Sequence, residues 1–341
     1  MRSKLVYLTF AVLLGVLLIF GWFRFVDFED VVDQLLRADI GKLLWAAALY
    51  MAAYFIRSVR FNLLLRANVV CSYTRTWMYC LASNMINYLI PIRIGELAKA
   101  WFLKRNHKEP ITRSLPTIFI DKSFDTIGIL VILIIIPFVS IRLSPAIYTM
   151  LAIMFFVFFV SLLIIIMSSR HSGLVERLLH TLFFFLPRRI QNKIREYITL
   201  FVQGLNLFEH RWSYLFYAVF LTITGIMFDA LYFYMVFRAL GVSFSFFMIM
   251  FGYTLINLSY ALPQPPAQIG TNEWMMLLVF STGFGLTRNT AAAIMALAHV
   301  STAAIVLISG SIAIAYSGFD ILKNVFKADP NGDLPTPSGN G

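Results

Sequence analysis

Charge, cysteine and histidine are all scarce in this chain. Charged residues make up 13% of the 341 positions, against 60% hydrophobic ones, and the mean hydropathy is +0.78. A soluble domain carries about 25% charged residues, and several apolar runs here exceed the roughly 18 to 20 residues that span a bilayer. The class is therefore an all-α polytopic membrane protein. Two cysteines, Cys71 and Cys80, provide neither a disulfide framework nor a zinc site and read as inert thiols. The five histidines are scattered among loops and one span, so no metal is expected. No His-Glu-x-x-His, Walker loop or Gly-x-Ser-x-Gly occurs, which leaves no support for an enzyme or a cofactor. Asp121 and Asp125 are the nearest thing to paired catalytic carboxylates. One helical turn apart they face the same way and cannot flank a scissile bond.

Acidic residues are the rarer sign, 17 against 28 basic, giving a net charge of +11. The basic residues sit between apolar spans, so they read as loop charge facing anionic lipid and not as a nucleic-acid footprint.

What is present centres on Ser83 to Arg105, SNMINYLIPIRIGELAKAWFLKR. A run that should carry the backbone across the bilayer stops at Pro91, turns through Ile92, Arg93, Ile94, Gly95 and Glu96, and begins a new helix. Non-helical backbone at membrane depth survives only where protein or a wet cavity satisfies it, which predicts a broken, re-entrant pair of helices. In the later half Asn257, Tyr260, Pro263, Ile269, Gly270 and Glu273 follow the order of Asn84, Tyr88, Pro91, Ile94, Gly95 and Glu96, which reads as an internal repeat, the alternative being two unrelated proline-kinked helices.

Taken in order, Leu5 to Phe23 is the first span, kept uncleaved, with Arg2 and Lys4 placing the N-terminus in the cytoplasm. Phe28, Val31, Val32, Leu35 and Leu36 have helical spacing and suggest a short outer-surface helix. Leu43 to Leu65 crosses inward, with Arg57, Arg60 and Arg66 taken as its cytoplasmic end. The first broken element, Thr76 to about Leu103, enters and leaves from inside, and Leu115 to Val139 crosses outward. Pro145 to Met167 returns. Arg170 to Arg211 is a basic cytoplasmic segment, either an interfacial helix or one packed on the bundle floor. Trp212 to Arg238 crosses outward, the second broken element, Ser243 to about Gly283, enters from outside, and Arg288 to Tyr316 crosses inward. The architecture expected is thus about six spanning helices plus two re-entrant hairpins in an inverted-topology repeat. Residues 1–327 form one membrane domain, with repeat halves at about 43–140 and 212–316 and a disordered tail at 328–341.

Intramembrane charges are costly and mark sites. Arg93, Glu96 and Lys99 either bind a lipid phosphate or stabilise the broken turn as an ion pair. Asp121, Lys122 and Asp125 lie about 10 to 15 Å into their span. They read as a proton or cation relay, or as Lys122 neutralising an aspartate. Glu273 repeats Glu96 and faces the outer half. Asp229 is a lone intramembrane acid and a functional candidate by default, and His299, near mid-span, is more often a hydrogen-bonded bundle histidine than a titrating gate.

Asn84, Pro91, Arg93, Gly95, Glu96 and Lys99, then Asp121-Lys122-x-x-Asp125, then Leu262-Pro263, Ile269-Gly270 and Glu273, resemble the lysylphosphatidylglycerol synthase transmembrane domain, also called the flippase-like or UPF0104 family. The resemblance runs from about Leu5 to Tyr316, and the Pro-x-Arg-x-Gly-Glu pattern is its most specific part. It implies a lipid flippase module, similar to the one that moves aminoacylated phosphatidylglycerol between leaflets. About 25 residues follow Tyr316, below the size of a catalytic domain, so lysyltransferase activity is not expected. The turn Gln264-Pro265-Pro266-Ala267-Gln268 is longer and richer in proline than the family's usual Pro-Gly-Gly. The function expected is translocation of an anionic phospholipid or polyprenyl-phosphate-linked lipid in a cytoplasmic membrane. One alternative is an accessory protein that presents lipid to a glycosyltransferase or other lipid-modifying partner, and a third, weaker one is an ion-coupled solute transporter. Membrane lipids are the expected partners, with room for a homo-oligomer.

Overall fold

The structure, a computed structural model, describes residues 13–66, 68–90, 94–140, 212–261 and 265–317. Pro91, Arg93, Leu262 and Pro263 lie outside the described residues, as do the expected span Pro145 to Met167, the basic segment from Arg170 to Arg211 and the tail. Every regular element among the described residues is helical. In chain order these are α1 (Leu13–Trp22), α2 (Phe28–Leu36), α3 (Ile40–Leu65), α4 (Tyr73–Leu89), α5 (Gly95–His107), α6 (Ile111–Ser140), α7 (Trp212–Ala239), α8 (Phe246–Leu258), α9 (Thr271–Met276) and α10 (Arg288–Ser317).

Local chemistry sets the helix starts. Asp27 caps α2 by accepting the Glu29 and Asp30 backbone N–H groups at 3.1 and 3.4 Å. Asp39 caps α3 through the Lys42 N–H at 3.1 Å, and Ser72 and Ser245 do the same for α4 and α8. Each side-chain oxygen takes a donor that the first helical turn leaves without a partner. The short helix expected around Phe28 to Leu36 is present, and its Val31 is buried against the core.

Both broken elements are broken. α4 ends at Leu89 and α5 begins at Gly95, where the chain folds back so closely that a Cβ on Gly95 would strike the Ser83 carbonyl and the Asn87 amide. Gly95 N–H, the first of α5, donates to Asn87 Oδ1 at 2.8 Å, so the preceding helix caps the following one. In the second element, α8 tightens into a 3₁₀ turn at Ser259–Ala261, and another 3₁₀ turn, Pro266–Gln268, precedes α9. Ala267, Gln268 and Gly270 all take positive φ, 53°, 62° and 90°. After α9 the chain widens into a π turn at Leu277–Gly283.

α3 lies along α7, and α10 along α4; α6 closes the bundle against α5, α8, α7 and α3. The larger core forms around α7, α8 and α10, where Phe233, Phe237, Phe251 and Phe280 are buried. A second lies between α3, α4 and α5, with Tyr79 stacked on Phe102 at 4.9 Å. The outer surface is apolar instead of charged: Trp45 and Phe55 of α3, Phe216 and Phe220 of α7, and Ile308 and Ile312 of α10 all point outward. That surface suits lipid and not water. Among the described residues three helices are long and apolar enough to cross a membrane: Ile40–Leu65, Ser213–Ala239 and Arg288–Ser317. The 30 residues of α6 are long enough too, but its first half carries Arg113, Asp121, Lys122 and Asp125.

α1 closes the second break from one side. Gly270 packs on the Gly15 carbonyl and Leu18, and Trp274 Nε1 donates to the Leu18 carbonyl at 2.9 Å.

Candidate functional site

The two breaks face a single cavity of about 510 Å³, walled by α3 to α8, the turn before α9, and α10. One end of it is ionic. Arg60 of α3 donates from Nε to Asp121 Oδ1 at 2.8 Å, and its Nη2 lies 2.8 Å from Asp125 Oδ1. Arg57, one turn earlier, grips both oxygens of Asp229 on α7 and lies 3.8 Å from Asp125. Lys99 of α5 pairs with Glu96 at 2.9 Å and with Asp121 at 3.6 Å. Lys122 reaches Asp125 at 3.4 Å, but its side chain stays 51% exposed. Four carboxylates, Glu96, Asp121, Asp125 and Asp229, are thereby matched by four cations. A carboxylate taken out of water costs several kcal/mol unless an opposite charge and hydrogen bonds offset it, and the ladder supplies both.

This arrangement corrects one reading of the sequence. Arg57 and Arg60 do not mark a cytoplasmic helix end: both are turned into the bundle, and Arg60 is 1% exposed. The exposed basic residue at that end of α3 is Arg66. The signal was legible in principle. Arg57 follows Tyr50 and Tyr54 at i+7 and i+3, so the three share a polar face. Asp121, Asp125 and Asp229 on neighbouring spans also called for more cations than Lys99 and Lys122 could provide.

The rest of the wall is amide and phenol. Asn84 of α4 accepts from Tyr54 at 2.5 Å and donates to the Tyr50 hydroxyl at 3.1 Å. Tyr88, Tyr253, Asn257 and Tyr260 line the cavity further along. Asn257, the counterpart of Asn84 in the second element, bonds back to the Tyr253 carbonyl of its own helix at 2.9 Å. The two asparagines therefore play different parts. Tyr50, Tyr54 and Asn87 were not singled out in the sequence. Their roles depend on α3 lying beside α4.

The glutamates of the two breaks also differ. Each sits in the first turn of the helix after its break. Glu96 joins the ion ladder, with Asn87 Nδ2 donating to its Oε1 at 3.4 Å. Glu273 Oε2 accepts the Gly270 N–H at 2.7 Å, and Oε1 lies 2.6 Å from His299 Nδ1. Both ring nitrogens of His299 are thus engaged within the bundle, Nδ1 by Glu273 and Nε2 by the Ala267 carbonyl at 2.9 Å. Gly95 and Gly270 contribute backbone only, while Asn84, Tyr88, Glu96, Lys99, Asp121, Lys122, Asp125, Asp229, Asn257, Tyr260 and His299 line the cavity.

Outside the spans, Cys71 in the loop before α4 has its thiol pKa pushed up by burial, which keeps it in the unreactive thiol form. Both cysteines are free and buried. Among the described residues no group of His, Cys, Asp and Glu side chains is arranged to hold a metal.

Comparison with known proteins places the chain in a family. The lysylphosphatidylglycerol synthase TM region matches residues 6–310. A UPF0104 membrane protein of Methanocaldococcus jannaschii is 21% identical over 306 residues, covering 86% of this chain and 90% of the relative. A second UPF0104 membrane protein of the same organism is 23% identical over 197 residues, covering 57% and 78%. A match that takes in α1, both breaks and most of α10 leaves no part of the cavity outside it, and the chain belongs to the lysylphosphatidylglycerol synthase TM region family.

Proposed function

We propose that this membrane protein is a lipid translocase that moves an anionic phospholipid or polyprenyl-phosphate-linked lipid between the leaflets of a cytoplasmic membrane. The observation that carries the reading is the cavity: a polar, ion-lined space inside an apolar-surfaced bundle, walled by both broken elements. A headgroup needs such a path because its charge cannot enter hydrocarbon unaided. The inverted repeat of two re-entrant hairpins, one entering from each side, gives the path two alternating mouths. Lys122 is the cation most open to an incoming phosphate, since its side chain is half-exposed and its carboxylate contact is long. Tyr88, Tyr260, Asn84 and Asn257 supply neutral donors along the way.

A second reading is favoured by one feature of the ladder. Every cation in it already holds a carboxylate, as expected of a fixed scaffold that presents lipid to a modifying enzyme without moving it.

The discriminating experiment is lipid exchange in proteoliposomes. Fluorescent phosphatidylglycerol and a polyprenyl-phosphate analogue are reconstituted with purified protein, and a membrane-impermeant quencher reports the outer-leaflet fraction. Wild type should accelerate exchange of at least one lipid, and Glu96→Gln and Lys122→Gln should lose that acceleration. No acceleration in vesicles with verified insertion would favour the scaffold.

A further inference from the structure

His299 has two acceptors against its two nitrogens. Nε2 lies 2.9 Å from the Ala267 carbonyl oxygen, and Nδ1 lies 2.6 Å from Glu273 Oε1. A carbonyl oxygen can only accept, so Nε2 carries a hydrogen. The short contact at Nδ1 needs a second proton, either on the imidazole and donated to the carboxylate, or on Glu273 and donated to Nδ1. Whichever atom holds it, the pair carries two protons when both contacts are made. Glu273 Oε2 meanwhile accepts the Gly270 N–H at 2.7 Å. The pair thus ties α10 to both ends of the turn from Ala267 to Gly270, and that turn packs on α4 of the first broken element.

We infer that Glu273 and His299 form a proton-binding site whose occupancy clamps the second broken element, so that this chain couples movement of that element to release of a proton. The coupling to lipid rests on the translocase reading; the proton site itself does not. When one proton leaves to cavity water through His299, which lines the cavity, the pair becomes a carboxylate and a neutral imidazole. One nitrogen lone pair then faces either the carboxylate or the Ala267 carbonyl, and an attraction becomes a repulsion. The turn is ready to move, because Ala267 and Gln268 both hold a left-handed backbone conformation that disfavours side chains.

Among the described residues no other charged side chain contacts this pair. α9 offers Glu273 alone, and the π turn and the described part of α1 carry no charged residue. α4 offers Tyr88, and α7 offers Tyr232, which is bonded to the Ala298 carbonyl and Thr302, while Asp229 of α7 is held by Arg57 of α3. Asp30 of α2 is engaged by Asn289 at the far end of α10.

The sign follows from proton counting. The clamped state holds one proton more than the released state once a freely hydrated histidine deprotonates, above about pH 6.5. Release is therefore favoured as pH rises, by up to about tenfold per pH unit. Hydrogen exchange read by mass spectrometry over peptides covering 265–276, in lipid nanodiscs without transport substrate, measures this opening directly. After correction for the intrinsic exchange rate, the wild-type opening constant should climb with pH above about 6.5. In Glu273→Gln the amide donates to Nδ1 and accepts from Gly270, so the clamp needs no titrating proton. Its opening constant should be low and flat. A flat wild-type profile overturns the proposal without reference to any variant, as does a Glu273→Gln profile that climbs like wild type. Climbing wild-type opening together with absent lipid exchange would remove the translocase reading and leave the proton site standing.

Discussion

Arg60 and Asp121, 61 positions apart in sequence, form an ion pair with Nε 2.8 Å from Oδ1, and both side chains are almost sealed from solvent. The same guanidinium holds Asp125 and the Thr222 hydroxyl, so one side chain of α3 fixes the positions of α6 and α7.

Removing it should be costly. Arg60→Met leaves Asp121 without its closest cation and should destabilise the protein by about 3 to 5 kcal/mol. Lys122→Met removes an exposed partner and should cost at most about 1 kcal/mol. Thermal unfolding of the two variants in the same detergent checks the contrast. Equal losses would mean that the ladder does not carry the bundle through Arg60.

The break between α4 and α5 makes a second prediction. A methyl at Gly95 would strike the Ser83 carbonyl and the Asn87 amide, backbone on one side and a cap on the other. Gly95→Ala should cost about 1 to 3 kcal/mol and open the hairpin. Gly241 sits at φ 73° with nothing near its missing Cβ, so Gly241→Ala should cost only the conformational strain, about 1 to 2 kcal/mol, with cavity geometry intact. Protection from hydrogen exchange in peptides across 83–99 should fall in the first variant and be unchanged in the second.

Asp39, at the start of α3, gives a pH dependence outside the membrane. Its hydrogen bond with the Lys42 side chain, then the one from the Lys42 backbone N–H, holds its carboxyl below the ordinary value of 3.8. Because the folded value is the lower one, the cap contributes to stability above the ordinary aspartate range and is lost as pH falls through the folded value. A carboxyl-carbon NMR titration should show a midpoint below 3.8, and Lys42→Met should move it up. A wild-type midpoint at or above the ordinary value would contradict the cap.

The glutamates show how far the repeat pattern could be read. Aligning Glu96 with Glu273 placed both after a break, and both do sit in the first turn of the following helix. The alignment said nothing of their partners. Lys99 is one turn from Glu96 and could be inferred from local spacing, whereas His299 lies on a different helix from Glu273.

The sequence by itself determined the helices and their ends. Apolar runs, Asp and Ser caps, and the glycines at both breaks act over a few residues, so the expected and observed ends of α3, α6, α7 and α10 differ by a few residues. Membrane residence was likewise written in composition. Only the tertiary structure decided which charges meet. Arg57 looked like the edge of a span because hydropathy records a residue's own cost of burial and not the carboxylate 172 positions away that offsets it. The pairing of α3 with α7, and the reach of His299 on α10 to the turn before α9, bring those groups within hydrogen-bonding distance, and the cavity exists only once they have met.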